Sequence, residues 1–218
     1  VPYCPRCETS LSSHEVAQGY KKIKETSVYL KFKIKKAKAK YFLVWTTTPW
    51  TLSANVALAV NPNLNYIEVK LGSKETYILV EDRLEYIKKL FNIKSVDVTK
   101  KIKGKDLIGL EYEQLIKFAK PDKPSFRVVA GDFVSTDEGT GIVHIAPAFG
   151  EDDMEVAKKN NLPLLMTIDE RGRFKPEIKP WAGVFVKEAD RLIAEYLEKD
   201  NLLFGKELYE HDYPFCWR

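Results

Sequence analysis

Alternation of hydrophobic and polar residues runs through much of this chain and predicts a fold made mostly of β-strands. Between Val28 and Ile34 apolar residues at even positions alternate with Tyr29, Lys31 and Lys33. A period of two is typical of a strand with one buried face. Similar runs rich in Val, Ile, Tyr and Phe predict eight strands, at residues 27–35, 41–47, 55–60, 65–71, 75–80, 95–102, 126–130 and 141–146.

Three short helices are predicted at the edges of this β-rich pattern. Residues 187–199 carry apolar side chains at steps of three and four, as one face of a helix requires. Residues 82–91 show a weaker version of the pattern, and residues 151–160 open with three acidic residues that suit a helix N-terminus. The predicted fold is therefore mainly β with peripheral helices (α+β), built on a closed or strongly curved β-barrel.

Composition agrees with a folded domain and excludes several functional classes. The 218 residues are 44% hydrophobic and 12% aromatic, enough for one large domain or one domain with a small appendage. No apolar run approaches the ~18 residues of a membrane span, and no signal peptide is recognisable. No P-loop or Gly-x-Gly-x-x-Gly motif indicates ATP or dinucleotide binding. The start at Val1 and the end shortly after Cys216 predict a piece of a larger protein.

Positive charge is concentrated in one segment although the net charge is only +4. Residues 21–40 contain nine lysines and a single acidic residue, Glu25. One interpretation is the solvated face of a strand, and the other is a contact with a nucleic-acid backbone. Both can hold, because an exposed lysine face is what a phosphate chain would meet.

The three cysteines suggest a metal site near the chain termini. Cys4 and Cys7 have the two-residue gap of a zinc knuckle, and Cys216 lies at the other end of the chain. We expect a four-cysteine zinc site in the parent protein that is incomplete and empty in this chain. The alternative is three reduced thiols without a metal.

Residues 1–25 and 204–218 are predicted to form a short, turn-rich stalk that holds all the cysteines. Residues 26–203 would form the domain proper. A metal that joined the two stalk segments would bring the termini together, as in a domain inserted into another.

The threonine run Thr46, Thr47 and Thr48 is the first candidate for chemistry. It ends a predicted strand, and Pro49 delays any helix that follows. Alternation turns Thr46 and Thr48 to one face and Thr47 to the other. Their hydroxyls could hold a water or a sugar hydroxyl without adding charge. A capped turn at the end of a strand is the alternative.

His144 and Asp153 are the second pair of candidates. His144 lies in a β-branched run, on the face opposite Val143 and Ile145, where a buried core histidine is the alternative. Asp153 falls in the first turn of a predicted helix, where it could merely complement the dipole. We expect that helix terminus to lower its pKa and keep it ionised, suited to gripping an ammonium group.

These motifs together resemble the editing (CP1) domain of isoleucyl-tRNA synthetase, a class I aminoacyl-tRNA synthetase. The resemblance rests on WTTTPWTL at residues 45–52 with Asn55, and on GTGIVH at residues 139–144 through Asp153. CPRCET at residues 4–9, PWAGVFV at residues 180–186 and YPFCWR at residues 213–218 resemble its flanking segments. The related valyl and leucyl enzymes carry arginine at the position of Thr48 and lack the histidine, so the isoleucyl branch is favoured.

The resemblance implies a β-barrel domain of the valyl/isoleucyl/leucyl type, inserted into a Rossmann-type synthetase. Such a domain binds the acylated 3′ end of tRNA(Ile) and hydrolyses wrongly attached valine, with valyl-adenylate as a further candidate substrate. It implies no cofactor for editing, zinc only in the full-length parent, and ATP only in the synthetic domain that this chain lacks. The chain alone would not aminoacylate. A cytoplasmic monomer without membrane contact is expected.

Residue roles are implied by the same resemblance. Asp153 would anchor the substrate ammonium, and Thr46, Thr47 and Thr48 would fix the amino acid, the ribose and the attacking water. His144 would line the wall that excludes isoleucine. Substrate contacts are also implied for Trp50 and for Asn55, which would support the pocket or the terminal adenosine. The rival functions are a non-catalytic tRNA-binding module and a metallohydrolase that uses the cysteines.

Overall fold

The computed structural model describes residues 2–217 and contains all eight predicted strands and all three predicted helices. The strands are β1 (Tyr3–Cys4), β2 (Thr9–Ser10), β3 (Tyr20–Lys33), β4 (Lys40–Thr46), β5 (Ala57–Val60), β6 (Asn65–Leu71), β7 (Thr76–Val80), β8 (Val96–Lys103), β9 (Arg127–Ala130), β10 (Ile142–Ile145) and β11 (Leu203–Pro214). The α-helices are α1 (Ser13–Ala17), α2 (Leu84–Leu90), α3 (Glu151–Asn160) and α4 (Val186–Lys199), and short 3-10 helices span Pro49–Ala54, Glu81–Arg83, Gly104–Leu107 and Lys179–Trp181. None of the described helices combines the length and the apolarity that crossing a bilayer requires.

The strands form two main sheets, which confirms the mainly β fold. A six-stranded sheet has the order β11-β3-β4-β7-β6-β8, and a three-stranded sheet has the order β10-β5-β9. The pairs β4–β7 and β5–β9 are parallel, and the other pairs in these sheets are antiparallel. Of the two predicted forms, closed or strongly curved, the closed barrel is absent among the described strands, because both sheets end in open edges. Alternation within a strand reports burial of one face and does not report whether the sheet closes.

The two sheets and α4 enclose the main core. The inward faces of β3 and β4 contribute Phe32 and Phe42, β5 contributes Leu58, and α4 contributes Ile193 and Leu197. On its other face the six-stranded sheet is covered by α2, and the three-stranded sheet packs against α3. Burial of these apolar faces, at roughly 25 cal/mol per Å², is the main force that holds the layers together.

The lysine-rich strand is only partly solvated, which corrects one of its two interpretations. Lys31 is 4% exposed, and its Nζ lies 3.1 Å from a carboxylate oxygen of Glu75. Four further lysines of this segment also face carboxylates, in the pairs Lys24–Glu210, Lys33–Glu113, Lys35–Glu111 and Lys40–Glu68. Much of the positive charge is therefore neutralised within the protein, and the segment is a weaker nucleic-acid footprint than its composition indicates.

The C-terminal segment is a long strand, so the prediction of a turn-rich stalk is wrong there. β11 pairs with β3 from Leu203↔Leu30 to Pro214↔Tyr20 and brings the two ends of the chain side by side. The predicted boundary between stalk and domain falls inside both strands and stays a prediction. Val1 and Arg218, the outermost residues of the predicted stalk, lie outside the described residues.

Candidate functional site

The end of β4 gathers three threonine hydroxyls into one cluster. The Thr46 Oγ1 atom accepts a hydrogen bond from the Thr48 backbone N–H at 3.1 Å and lies 3.3 Å from Thr48 Oγ1. Thr48 Oγ1 in turn lies 3.2 Å from Thr51 Oγ1, in the 3-10 helix that begins at Pro49. The predicted common face of Thr46 and Thr48 is confirmed. In the part of the chain that the structure describes, no hydrogen bond joins Thr47 to the cluster.

His144 completes this cluster from the other sheet. Its Nε2 atom lies 3.1 Å from Thr51 Oγ1 and 3.5 Å from Thr46 Oγ1. The side chain is 8% exposed, and burial lowers its pKa to about 4. The imidazole is therefore neutral at pH 7. Its Nδ1 atom is buried and has no hydrogen-bond partner among the described residues.

Asp153 lies in the first turn of α3 and turns back toward the strand that carries His144. Burial raises the pKa of its carboxyl group to about 6, against the opposing effect of a hydrogen bond from the Ala146 backbone. The predicted lowering of this pKa is wrong, because burial outweighs the helix terminus. The group remains mostly ionised at pH 7. Ala146 follows His144 by two residues, about 7 Å along an extended chain, so the Asp153 carboxylate lies at the C-terminal end of β10, the strand that carries His144.

Gly150 provides the space that the Asp153 carboxylate occupies. A Cβ atom on Gly150 would lie 2.4 Å from Asp153 Oδ2. The backbone of Gly150 has φ −135° and ψ 143°, a conformation that any residue adopts. The glycine is therefore required by the close approach of the side chain and not by backbone strain.

Trp50 connects the threonine cluster to the segment that precedes α3. Its ring centroid lies 4.7 Å from that of Phe149, with the planes inclined by 62°. The indole Nε1 atom is buried without a hydrogen-bond partner among the described residues. An indole and an imidazole that both keep an unused polar atom are consistent with a site that a polar ligand completes.

Asn55 is engaged within the protein at both ends of its amide. Its Nδ2 donates to the Ala57 carbonyl at 2.8 Å, and its Oδ1 accepts from the Tyr112 hydroxyl at 2.7 Å. With 3% exposure, Asn55 holds the chain between the 3-10 helix and β5. These bonds fix the Asn55 amide within the protein, and the substrate-binding role implied for it stays a prediction.

Two residues of the site were missed in the sequence. Thr51 follows Thr48 by three residues, which the tight 3-10 helix turns into direct proximity. The other is Asp190 on α4, whose carboxylate accepts a hydrogen bond from the Trp50 backbone N–H at 2.9 Å. Its sequence signal was an acidic residue on the apolar side of the helix, at spacings of three, four and seven from buried Ile193, Val186 and Leu197.

The cysteines form a separate cluster at the ends of the chain. The sulfur atoms of Cys4, Cys7 and Cys216 all lie within 4.8 Å of one another, with 4.0 Å between Cys7 and Cys216. Tetrahedral zinc with bonds of about 2.3 Å places its sulfur ligands about 3.8 Å apart. The three thiols therefore fit three corners of a zinc site. No fourth His, Cys, Asp or Glu joins them among residues 2–217.

Two surface cavities lie away from the threonines. The larger, about 490 Å³, is lined near the cysteines by Pro5, Arg6, Glu8, Arg171, Arg173 and Phe185. The other, about 150 Å³, lies beside α3 and includes Pro147 and Met154. The threonine–histidine cluster is thus defined by its hydrogen bonds and not by either of these cavities.

Comparisons with known proteins agree on one family. A family model described as the editing domain of leucyl-tRNA synthetase matches residues 23–193. Isoleucine–tRNA ligase of Clostridium acetobutylicum is 52% identical over 218 residues, which cover 100% of this chain and 20% of that protein. The isoleucine–tRNA ligase of Thermoplasma volcanium is 51% identical over 100% of this chain and 21% of its own length. The chain spans about a fifth of the curated relatives it matches.

Solved structures of similar shape come from the same group of enzymes. The editing domain of the P. knowlesi cytosolic leucyl-tRNA synthetase has a TM-score of 0.64 at 15% identity, over 86% of this chain and 97% of that chain. The structure titled GlLeuRS-CP1 has a TM-score of 0.60 at 14% identity, over 86% of this chain and 98% of that chain. At these identities the likeness concerns the fold.

Proposed function

Because the chain belongs to the tRNA-synthetase editing-domain family, with isoleucine–tRNA ligases among its relatives, we propose that it hydrolyses the ester of valyl-tRNA(Ile). The observation that carries this proposal is the contact of Thr46 and Thr51 with a neutral His144, with Thr48 bonded to both threonines and the Asp153 carboxylate held at Ala146, two residues after His144. Valyl-adenylate is a second candidate substrate of the same site.

The reaction asks the site to hold an aminoacyl ester and to direct a water at its carbonyl. Hydroxyl groups both donate and accept hydrogen bonds, so the threonines can orient a water and a ribose hydroxyl at once. His144 is neutral at pH 7 and offers the unpartnered Nδ1 atom. We assign it to contact with the substrate and not to delivery of a proton from an imidazolium. Thr47, outside the hydrogen-bonded cluster, is assigned a substrate contact through its backbone.

Asp153 is the proposed anchor for the α-ammonium group of the amino acid. Its half-buried carboxylate has a raised pKa, which an arriving cation lowers again. A charge pair that forms only with a substrate bound stabilises that complex more than an exposed pair would.

An editing site in addition to the synthetic site is needed to reject valine, because isoleucine and valine differ by one methylene group. A hydrophobic pocket discriminates such a pair by only about 1–3 kcal/mol, a known limit for which isoleucyl-tRNA synthetase is the standard illustration. A pocket whose wall includes His144 and the Trp50–Phe149 pair would admit valine and exclude the larger side chain.

The cysteine cluster supports a separate, structural role. We propose that Cys4, Cys7 and Cys216 hold zinc together with a fourth ligand from outside the described residues. The sulfur separations fit that ion. Zinc at this place would fasten the two chain ends and takes no part in the proposed hydrolysis. The remaining partner proposals are the acylated 3′ end of tRNA(Ile) and a monomeric state.

The experiment that tests the proposed function follows release of radiolabelled valine from valyl-tRNA(Ile) by the 218-residue chain, with isoleucyl-tRNA(Ile) as the matched substrate. Rapid release of valine and sparing of isoleucine are expected. Binding of valyl-tRNA(Ile) without release would favour the non-catalytic RNA-binding module. The ion pairs of five of the nine lysines in its proposed footprint weaken the support for that rival.

A further inference from the structure

Asp190 is a half-buried acidic residue that none of the motifs described above contains. It lies on the side of α4 that packs into the main core, together with Val186, Ile193 and Leu197. A carboxylate on such a face is costly unless a hydrogen bond or a charge compensates it. Its Oδ1 atom accepts the backbone N–H of Trp50 at 2.9 Å.

The Trp50 N–H is a donor that its own helix leaves unpaired. The 3-10 helix begins with Pro49, so Trp50 is its second residue, and Thr48 occupies the N-cap position. A threonine at an N-cap ordinarily accepts the N–H of the second or third helical residue through its own hydroxyl. Here the Thr48 side chain makes no such bond.

The Thr48 hydroxyl bonds elsewhere, while Asp190 accepts an N–H that an N-cap hydroxyl ordinarily accepts. Thr48 Oγ1 lies 3.3 Å from Thr46 Oγ1 and 3.2 Å from Thr51 Oγ1, inside the cluster that contacts His144. A hydroxyl that capped the helix would have to turn away from these partners. The bond from the Trp50 N–H to Asp190 therefore occurs together with the bonds of the Thr48 hydroxyl to Thr46 and Thr51.

Two charged groups, Lys187 and Glu25, and the Trp50 backbone N–H act on Asp190. From α4 itself comes Lys187, whose Nζ lies 2.7 Å from Glu25 Oε1 on β3 and 4.3 Å from the centre of the Tyr213 ring on β11. His211 Nε2, also on β11, lies 3.4 Å from Glu25 Oε2. The 3-10 helix contributes the Trp50 N–H. Burial raises the pKa of Asp190 to about 7, against the opposing effects of that N–H and of Lys187.

We propose that Asp190 is a positioning residue of the editing site, which caps the 3-10 helix from α4 and thereby keeps the Thr48 hydroxyl in the cluster with Thr46, Thr51 and His144. The effect on catalysis rests on the proposed hydrolysis. The capping of the 3-10 helix rests on the geometry alone.

The test compares Asp190→Ala and Asp190→Asn with Glu188→Ala, an exposed acid on the same helix. Asparagine retains an oxygen that can accept the Trp50 N–H, and it is as good a cap as aspartate. We expect Asp190→Ala to lower kcat for valyl-tRNA(Ile) about ten- to hundredfold with KM changed less than twofold. Asp190→Asn should restore kcat to within about threefold of wild type, and Glu188→Ala should match wild type.

A second measurement is independent of activity. The NMR signal of the Trp50 amide should shift as Asp190 titrates near pH 7 in the wild-type chain and should lose that titration in Asp190→Asn. In Asp190→Ala the Trp50 amide should exchange with solvent faster, because its acceptor is gone.

The outcomes separate the two proposals. A wild-type chain that leaves valyl-tRNA(Ile) intact but shows the expected Trp50 titration contradicts the hydrolysis and retains the cap. An active wild type with Asp190→Ala equally active, or with Asp190→Asn as slow as Asp190→Ala, overturns the positioning role. A Trp50 amide that is unchanged in all variants overturns the cap itself.

Discussion

The threonine–histidine cluster and the cysteine cluster bring together residues that are distant in sequence, but they are held by different forces. Thr46 and His144 lie on two sheets that share a core, and both are less than 9% exposed. Cys4, Cys7 and Cys216 lie on a two-residue strand, a turn and the end of a ribbon, with few buried neighbours. The first geometry is maintained by packing, and the second needs an ion.

The difference teaches where each site is vulnerable. Packing preorganises hydroxyls and imidazole before any substrate arrives, which lowers the cost of binding and orientation. The three thiols lie on short segments outside the main core, so metal binding and local folding are expected to be one event. Loss of the metal should therefore leave the hydrolytic site intact, whereas loss of a buried polar group should damage that site and little else.

The largest effect is expected from Asp153→Ala, which removes the only proposed charge that meets the substrate. The substrate ammonium would lose its partner in a partly buried place, at about 2–5 kcal/mol. Deacylation of valyl-tRNA(Ile) should fall at least about thirtyfold. Asp153→Asn is the control that keeps the shape and removes the charge. If either variant retains the wild-type rate, the anchoring role is wrong.

Removal of zinc should cost a similar free energy, but it should lower the stability of the protein and not the rate of deacylation. Zinc at 100 to 1,000 times its dissociation constant would stabilise a longer chain that supplies the fourth ligand by about 3–4 kcal/mol, and the 218-residue chain by less. Cys7→Ser should abolish that stabilisation in thermal melts with and without zinc. Its rate of deacylation should stay within about twofold of wild type. A comparable loss of deacylation in Cys7→Ser would join the two sites and contradict the separation drawn between them.

The dependence of stability on pH tests the burial of His144. Its folded pKa of about 4 lies below the usual 6.5, so the stability it contributes is present above pH 6.5 and is lost as the pH falls toward 4. Asp153 and Asp190 have raised pKa values and act with the opposite sign over an overlapping range. His144→Asn should therefore gain stability relative to wild type by about 2–3 kcal/mol between pH 7 and pH 4. Denaturant unfolding at both pH values measures that difference, and a constant difference would show that His144 is solvated.

The smallest effect is expected from Gly150→Ala. The new methyl group would displace the Asp153 carboxylate without straining the backbone. We expect deacylation to fall about tenfold, with a melting temperature within a few degrees of wild type. Loss of stability without loss of activity would mean that the glycine serves packing and not the anchor.

Local patterns in the sequence were enough to predict the secondary-structure elements and which residues share a face of a strand. Alternation and apolar spacing predicted the strands and helices, and alternation predicted the shared face of Thr46 and Thr48. The neutral state of His144 and the raised pKa of Asp153 could not be predicted, because both follow from burial that only the assembled layers create. The open sheets were missed for the same reason.

Two misses had a signal in the sequence. Residues 203–214 alternate half-buried Tyr209, His211 and Tyr213 with exposed residues, which is a strand pattern that the charged residues obscured. Asp190 stood on the apolar side of a clear helix. A charged residue in that position indicates a partner inside the fold, and the partner is the backbone N–H of Trp50, 140 residues away in sequence.

The most direct measurement is a crystal structure with a non-hydrolysable amide analogue of valyl-adenosine. The valyl ammonium is predicted to lie within hydrogen-bond distance, about 3 Å, of the Asp153 carboxylate. The carbonyl should face the hydroxyls of Thr46, Thr48 and Thr51, and the side chain should face His144. An analogue seated elsewhere, with Asp153 and His144 making no contact to it, would contradict the account.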